Sequence, residues 1–86
     1  MSTTLTKAVA LIREAIHASA ATDAIATVYL PGLSAEDAST ALSYATTDSD
    51  EVDSVESPPG EMIEAWGTDD HGHDWRIAVR ILEAQS

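Results

Sequence analysis

An α+β domain with a three- or four-stranded, mainly antiparallel sheet and two helices packed on one face is the architecture this sequence predicts, and three observations predict it. Residues 4–20 and 34–45 carry apolar side chains at three- and four-residue spacing, the period of a helix with one buried side. Residues 24–30 and 74–82 are short, apolar and rich in β-branched residues, as strands are. Between residues 61 and 82 lies a hairpin signal, two strand-like segments around Asp70-His71-Gly72. Eighty-six residues suffice for one core and not two, so residues 1–86 are expected to form a single domain. At 44% hydrophobic and 22% charged, the composition is that of a folded domain rather than a disordered chain.

In the first helix Leu5, Ala8, Val9, Ile12, Ala15 and Ile16 form the stripe, with Leu11 at its margin. Thr3 or Thr4 can cap its start. Lys7, Arg13, Glu14 and His17 fall away from the stripe, and His17 reads as a solvated surface residue. Ala24–Leu30 follows as a strand whose two faces are both largely apolar, which predicts an interior position in the sheet or between the sheet and a second layer. Pro31-Gly32 ends it. Ser34 then caps the second helix, Asp37 supplies a capping-box acid and Leu33 can staple against Ala38. The buried stripe there is Ala38, Ala41, Leu42 and Ala45, with Tyr44 covering its edge.

Residues 46–60 read as an acidic surface loop or an edge strand around Val55 with Asp53, Val55 and Ser57 on one side. Pro58-Pro59 forces an extended turn after it. The hairpin's register follows from one energetic choice. Facing Met62, Glu64 and Trp66 inward would bury an unpaired carboxylate, so Ile63 and Ala65 face the core with Trp75, Ile77, Val79 and Ile81. That parity needs an odd-length turn, which Asp70-His71-Gly72 provides with Gly72 left-handed. It pairs Gly67 with Trp75, Trp66 with Arg76, Ala65 with Ile77 and Ile63 with Val79. The outer face then carries Met62, Glu64 and Trp66 beside Arg76, Ala78 and Arg80. Glu64 can pair diagonally with either Arg, and Arg76 can lie on the Trp66 ring.

The charge is lopsided. From Glu14 to Trp75 there is no Lys or Arg, and all but one of the chain's 15 acidic residues fall in that stretch. The formal charge of −11 repels DNA, RNA and anionic lipid and attracts basic surfaces. Solubility or adaptation to high salt would also produce it, and a single Lys fits a salt-adapted source. With no cysteine there is no disulfide framework or thiolate site. No secretory signal is recognisable and no apolar run approaches a membrane span, so a cytoplasmic protein is expected.

The chemistry-bearing patterns in the chain are all incomplete. A calcium loop at 48–59 fails because Val52 replaces a ligand, Asp53 replaces the turn Gly and Pro59 stands where the bidentate Glu belongs. Asp69-Asp70-His71-Gly72-His73-Asp74 resembles a metal cluster, but neighbours in a tight turn diverge, and only His17 could add a distant ligand. No nucleophile elbow or phosphate-binding glycine loop is present, and no carboxylate pair stands out for acid–base work. The expectation is no catalytic residue, metal or cofactor.

The helix "LSAEDASTALSYA" followed by the hairpin "GEMIEAWGTDDHGHDWRIAVRIL" resembles, in size, acidity and outline, the small phage-encoded inhibitors of the anti-CRISPR type. It contains no family-defining motif. The resemblance implies a stoichiometric inhibitor docking on the basic nucleic-acid channel of a bacterial defence complex. The residues themselves lead to a non-enzymatic binding protein engaging a basic partner. Asp48, Asp50, Glu51, Asp53 and Glu56 form the main field, Asp69, Asp70 and Asp74 a second patch at the hairpin tip, and Met62, Glu64 and Trp66 the specific contacts. The alternative is an assembly module, a homodimer joined through the sheet face around Met62 and Trp66.

Overall fold

A computed structural model of the chain describes residues 3–57 and 60–81. The elements run α1 (Thr3–Thr22), β1 (Ile25–Tyr29), α2 (Ala35–Ala45), β2 (Asp50–Glu56), β3 (Met62–Thr68) and β4 (Asp74–Arg80). They form one four-stranded sheet in the order β1-β4-β3-β2, with β1 parallel to β4 and the other two pairs antiparallel. Both helices lie on one face of this α+β fold. Their stripes, Ala8, Ile12, Ala15 and Ile16 from α1 and Ala38, Ala41, Leu42 and Ala45 from α2, close the core over Val28, Ile63, Ala65, Trp75, Ile77, Val79 and Ile81. Leu11 stays at the margin, 45% exposed.

The hairpin has the expected register: Gly67 pairs with Trp75, Trp66 with Arg76, Ala65 with Ile77 and Ile63 with Val79. Asp69 N–H donates to the His73 carbonyl (2.8 Å) and Gly72, at φ 84°, donates to the Asp69 carbonyl (3.0 Å), closing a turn of Asp70, His71 and Gly72. Gly67 is needed because the Trp75 indole lies against it, and a Cβ there would stand 2.9 Å from Trp75 Cζ2. The Ser34 cap also forms, its Oγ accepting the Asp37 N–H at 3.1 Å. Leu33 and Ala38 are both buried.

Four expectations need correction. The strand β1 is an edge strand, not an interior one: among the described residues the helices cover one face of the sheet, so the second apolar face of β1 meets solvent and Ile25 and Tyr29 are 61% and 60% exposed. Thr4 lies inside α1 rather than capping it, and the cap expected at Thr3 falls on a side chain outside the described ones. Tyr44 does not cover the α2 stripe; it remains 49% exposed, and its carbonyl accepts a hydrogen bond from Arg13 Nη2 at 3.3 Å. Glu64 makes no ion pair with Arg76 or Arg80, because Arg76 lies over the Trp66 ring (5.7 Å to its centroid) and Arg80 Nη1 turns to Met62 Sδ (4.0 Å). The extended turn expected at Pro58-Pro59 falls outside the described residues. The strand expected near Val55 is longer than expected and packs on β3 alone among the sheet's strands.

One buried polar side chain fastens α1 to the sheet. Ser19 continues the α1 stripe and is 2% exposed. Its hydroxyl donates to the Ala24 carbonyl (2.6 Å) and accepts the Arg76 N–H (2.8 Å), bridging main-chain groups where the β1–β4 ladder begins.

Candidate functional site

The chain's topology directs one end of the molecule toward negative charge. Both helices run to this end, where β1, β2 and β4 begin and β3 finishes. Asp23 follows α1, Asp48 and Asp50 follow α2, Glu51 opens β2, and Asp69, Asp70 and Asp74 belong to the hairpin tip. Neither helix has a basic residue in its last turn, so each adds the negative end of its dipole to the same region. The main acidic segment and the hairpin tip, separate in sequence, therefore meet. Asp48, Asp69 and Asp70 line one hollow with Arg13, His17 and Ala45, while Asp23, Glu51 and Asp74 line a larger one, about 530 Å³, with Trp66 and Arg76.

Local bonds hold this pole in shape. Trp75 Nε1–H donates to Ser49 Oγ (3.2 Å), anchoring the segment before β2, and Thr68 Oγ1 donates to Asp74 Oδ1 (3.2 Å). Asp69 Oδ1 accepts the N–H groups of His71 (2.9 Å) and His73 (2.8 Å). The His73 bond is the largest influence on the Asp69 carboxyl; desolvation opposes it, and the His71 bond and the two imidazoles help it hold the group below its ordinary value. Asp23 and Glu51 are the described non-glycine residues with positive φ, at 57° and 55°. Asp23 occupies the left-handed position that closes α1, its N–H bonding the Ser19 carbonyl at 2.8 Å. Glu51 sits at the irregularity where the β2–β3 register shifts between Asp50 and Asp53.

The carboxylates are largely uncompensated. Among the described residues, the ion-pair contacts are His71 Nε2–Asp70 Oδ1 (3.7 Å) and His73 Nδ1–Asp69 Oδ2 (3.8 Å), each needing a protonated imidazole. Among those residues no group of three or more His, Cys, Asp or Glu is arranged to hold a metal ion, and no helix is long and apolar enough to cross a membrane.

From this pole β2 leads away as an acidic edge, exposed along its whole length. The pairing of Asp53 with Trp66 and Val55 with Glu64 puts Asp53 and Val55 on the open face of the sheet, while Ser54 and Glu56, opposite Ala65 and Ile63, look toward the helix side. Glu56 is therefore apart from the pole, its Oε2 accepting the Gly60 N–H at 3.1 Å. The open face continues through Met62, Glu64 and Trp66, then Arg76, Ala78 and Arg80, then Ile25, Thr27 and Tyr29. Met62, Glu64 and Trp66 are half-buried there.

Of the expected site residues, the structure joins Asp48, Asp50, Glu51, Asp69, Asp70 and Asp74, sets Asp53 and Trp66 side by side at the border of the pole, and leaves Glu56 and Met62 toward the far end. Sequence reasoning missed Asp23, because its place depends on β1 lying parallel to β4, a pairing no local pattern encodes. No protein-family model, no curated protein and no solved structure matches this chain.

Proposed function

We propose that this chain is a non-enzymatic binding protein whose anionic pole docks on a basic protein surface, in the manner of a nucleic-acid mimic that keeps DNA or RNA from that surface. The observation that carries this reading is the gathering of Asp23, Asp48, Asp50, Glu51, Asp69, Asp70 and Asp74 at the end toward which both helix dipoles point their negative ends. Such a grouping is unfavourable to the fold alone, because like charges repel and the described Lys and Arg residues make no ion pairs with it. A cationic partner reverses the sign of that interaction. The field at the pole speeds encounter, and Trp66, half-buried beside Asp53 with Arg76 on its ring, supplies a rigid aromatic contact for specificity.

The test is affinity capture from extract of the source cells with the wild-type chain and with a D48N/D50N/E51Q/D69N/D70N/D74N variant. A captured nucleic-acid-binding protein that loses its DNA or RNA in the complex supports the reading. Its association rate should fall on the order of tenfold or more from low to physiological salt, where the Debye length is about 8 Å. Equal capture by the neutralised variant refutes it. A stable dimer that Trp66→Ala dissociates would favour the assembly role instead.

A further inference from the structure

The two edges of the sheet are built differently. β2 carries Asp50, Glu51, Asp53 and Glu56 and a left-handed residue that breaks its register, devices that discourage a further strand. β1 carries none: Ile25-Ala26-Thr27-Val28-Tyr29 is uncharged, regular and paired on one side only. From this contrast we infer that the β1 edge is a docking site for the β1 edge of a second copy, joined antiparallel about a two-fold axis at Thr27 into one eight-stranded sheet.

The main-chain geometry fits this occupant. Leu30 N–H donates to the Arg80 carbonyl at 2.8 Å, so by strand alternation the even-numbered residues of β1 turn their polar groups to β4. Ile25, Thr27 and Tyr29 turn theirs outward. With Thr27 opposite Thr27 of the second copy, Ile25 falls opposite Tyr29, and each pair is a hydrogen-bonded one in which both N–H and both carbonyl groups are used. The same register sets β-branched Ile25 beside aromatic Tyr29 twice on the open face and Thr27 beside Thr27 between them, both favourable cross-strand pairs. A single edge matches itself, as a two-fold interface requires.

Side chains and charge agree with the backbone. A groove of about 420 Å³ runs between β1 and α1, lined on the helix side by Leu11, Glu14, Ala15 and Ala18. Ala26 and Val28 of an added strand would point to that side, where the exposed margin of α1 offers apolar Leu11 and Ala18 on either side of Glu14. Lys7, the chain's single lysine, stands at the Tyr29 end of β1, and Asp23 precedes the Ile25 end. Antiparallel docking sets the Lys7 end of each copy beside the Asp23 end of the other. Both β2 edges stay free on the outer flanks.

Sedimentation across a concentration series tests the proposal. The expected result is a monomer–dimer equilibrium that tightens with added salt, because two chains of −11 charge repel and salt screens them. That dependence is opposite in sign to the one expected for a basic partner, so the two readings fail separately. Ile25→Lys and Thr27→Pro should both yield monomer with unchanged circular dichroism. The first puts a charge on an exposed site, and the second removes an N–H that β4 does not use. In this cysteine-free chain Thr27→Cys should cross-link to itself with a short thiol reagent, while Tyr44→Cys, exposed on α2, should not. A wild type that stays monomeric throughout, a dimer that survives Ile25→Lys, or equal cross-linking from position 44 overturns the inference.

Discussion

Replacing Ser19 by Ala isolates one small group on which two elements depend. Its hydroxyl bridges the Ala24 carbonyl and the Arg76 N–H inside a side chain that is 2% exposed. Alanine fits without strain and favours the helix, so propensity should raise stability slightly. Against that, two main-chain groups lose their partner, each loss costing about 1–3 kcal/mol where water cannot replace it. Both bonds are only part-buried. Water therefore recovers some of the loss, and the lower end of the range applies, about 1–1.5 kcal/mol for each group and about 2–3 kcal/mol in sum. For a domain this small that is a fall in Tm on the order of 10–20 °C. Urea titration followed by circular dichroism should show a lower midpoint with an unchanged slope, while Ser39→Ala on the exposed side of α2 should leave it in place. A Ser19→Ala midpoint matching that of Ser39→Ala would refute the claim that this bridge holds α1 to the sheet.

Three further outcomes follow from the same geometry. Gly67→Ala should destabilise by roughly 1–3 kcal/mol, since its Cβ would meet Trp75 Cζ2 at 2.9 Å and the Asp50 carbonyl at 3.1 Å; denaturant titration followed by circular dichroism reads the loss. Glu51→Gly should stabilise by about 1 kcal/mol, because φ of 55° strains a side chain that is exposed, and partner affinity should fall at the same time; a destabilised variant would contradict the strain. Asp69 has a folded-state value below the ordinary 3.8, so its contribution is present above 3.8 and lost as pH falls through the lower folded value. Wild type should therefore lose stability across that acid range, and Asp69→Asn, which cannot titrate, should show a flatter acid limb.

How much of this was legible depended on how local each decision is. The hairpin register was readable because three facts agreed within residues 61–82: the alternation, the cost of burying Glu64 and an odd turn with glycine in it. The α2 cap and stripe were equally local. The position of β1 was not, because a strand with two apolar faces looks the same whether its second face meets a helix layer or solvent. Its parallel partner β4 lies some fifty residues away. That one unreadable pairing also hid the site. Only when β1 aligns with β4 do Asp23 and Asp74 meet, and only when α2 runs alongside α1 do Asp48 and the hairpin tip share a hollow. Ser19 escaped notice because a polar residue in an apolar stripe reads as a gap until the main-chain groups it serves are known. Glu64 was assigned to arginines that the Trp66 ring and the Met62 sulfur hold instead.

The strand β2 is a ribbon tied down on one margin only. Peeling it from β3 would uncover few apolar side chains, whereas withdrawing β4 would open the interior from both sides. Its amides should therefore exchange with deuterium through a low-energy local excursion, well before the protein as a whole lets go. A bound cationic surface that grips Asp50, Glu51 and Asp53 would slow that fraying, and the retardation would mark the contact strand without any knowledge of what had bound.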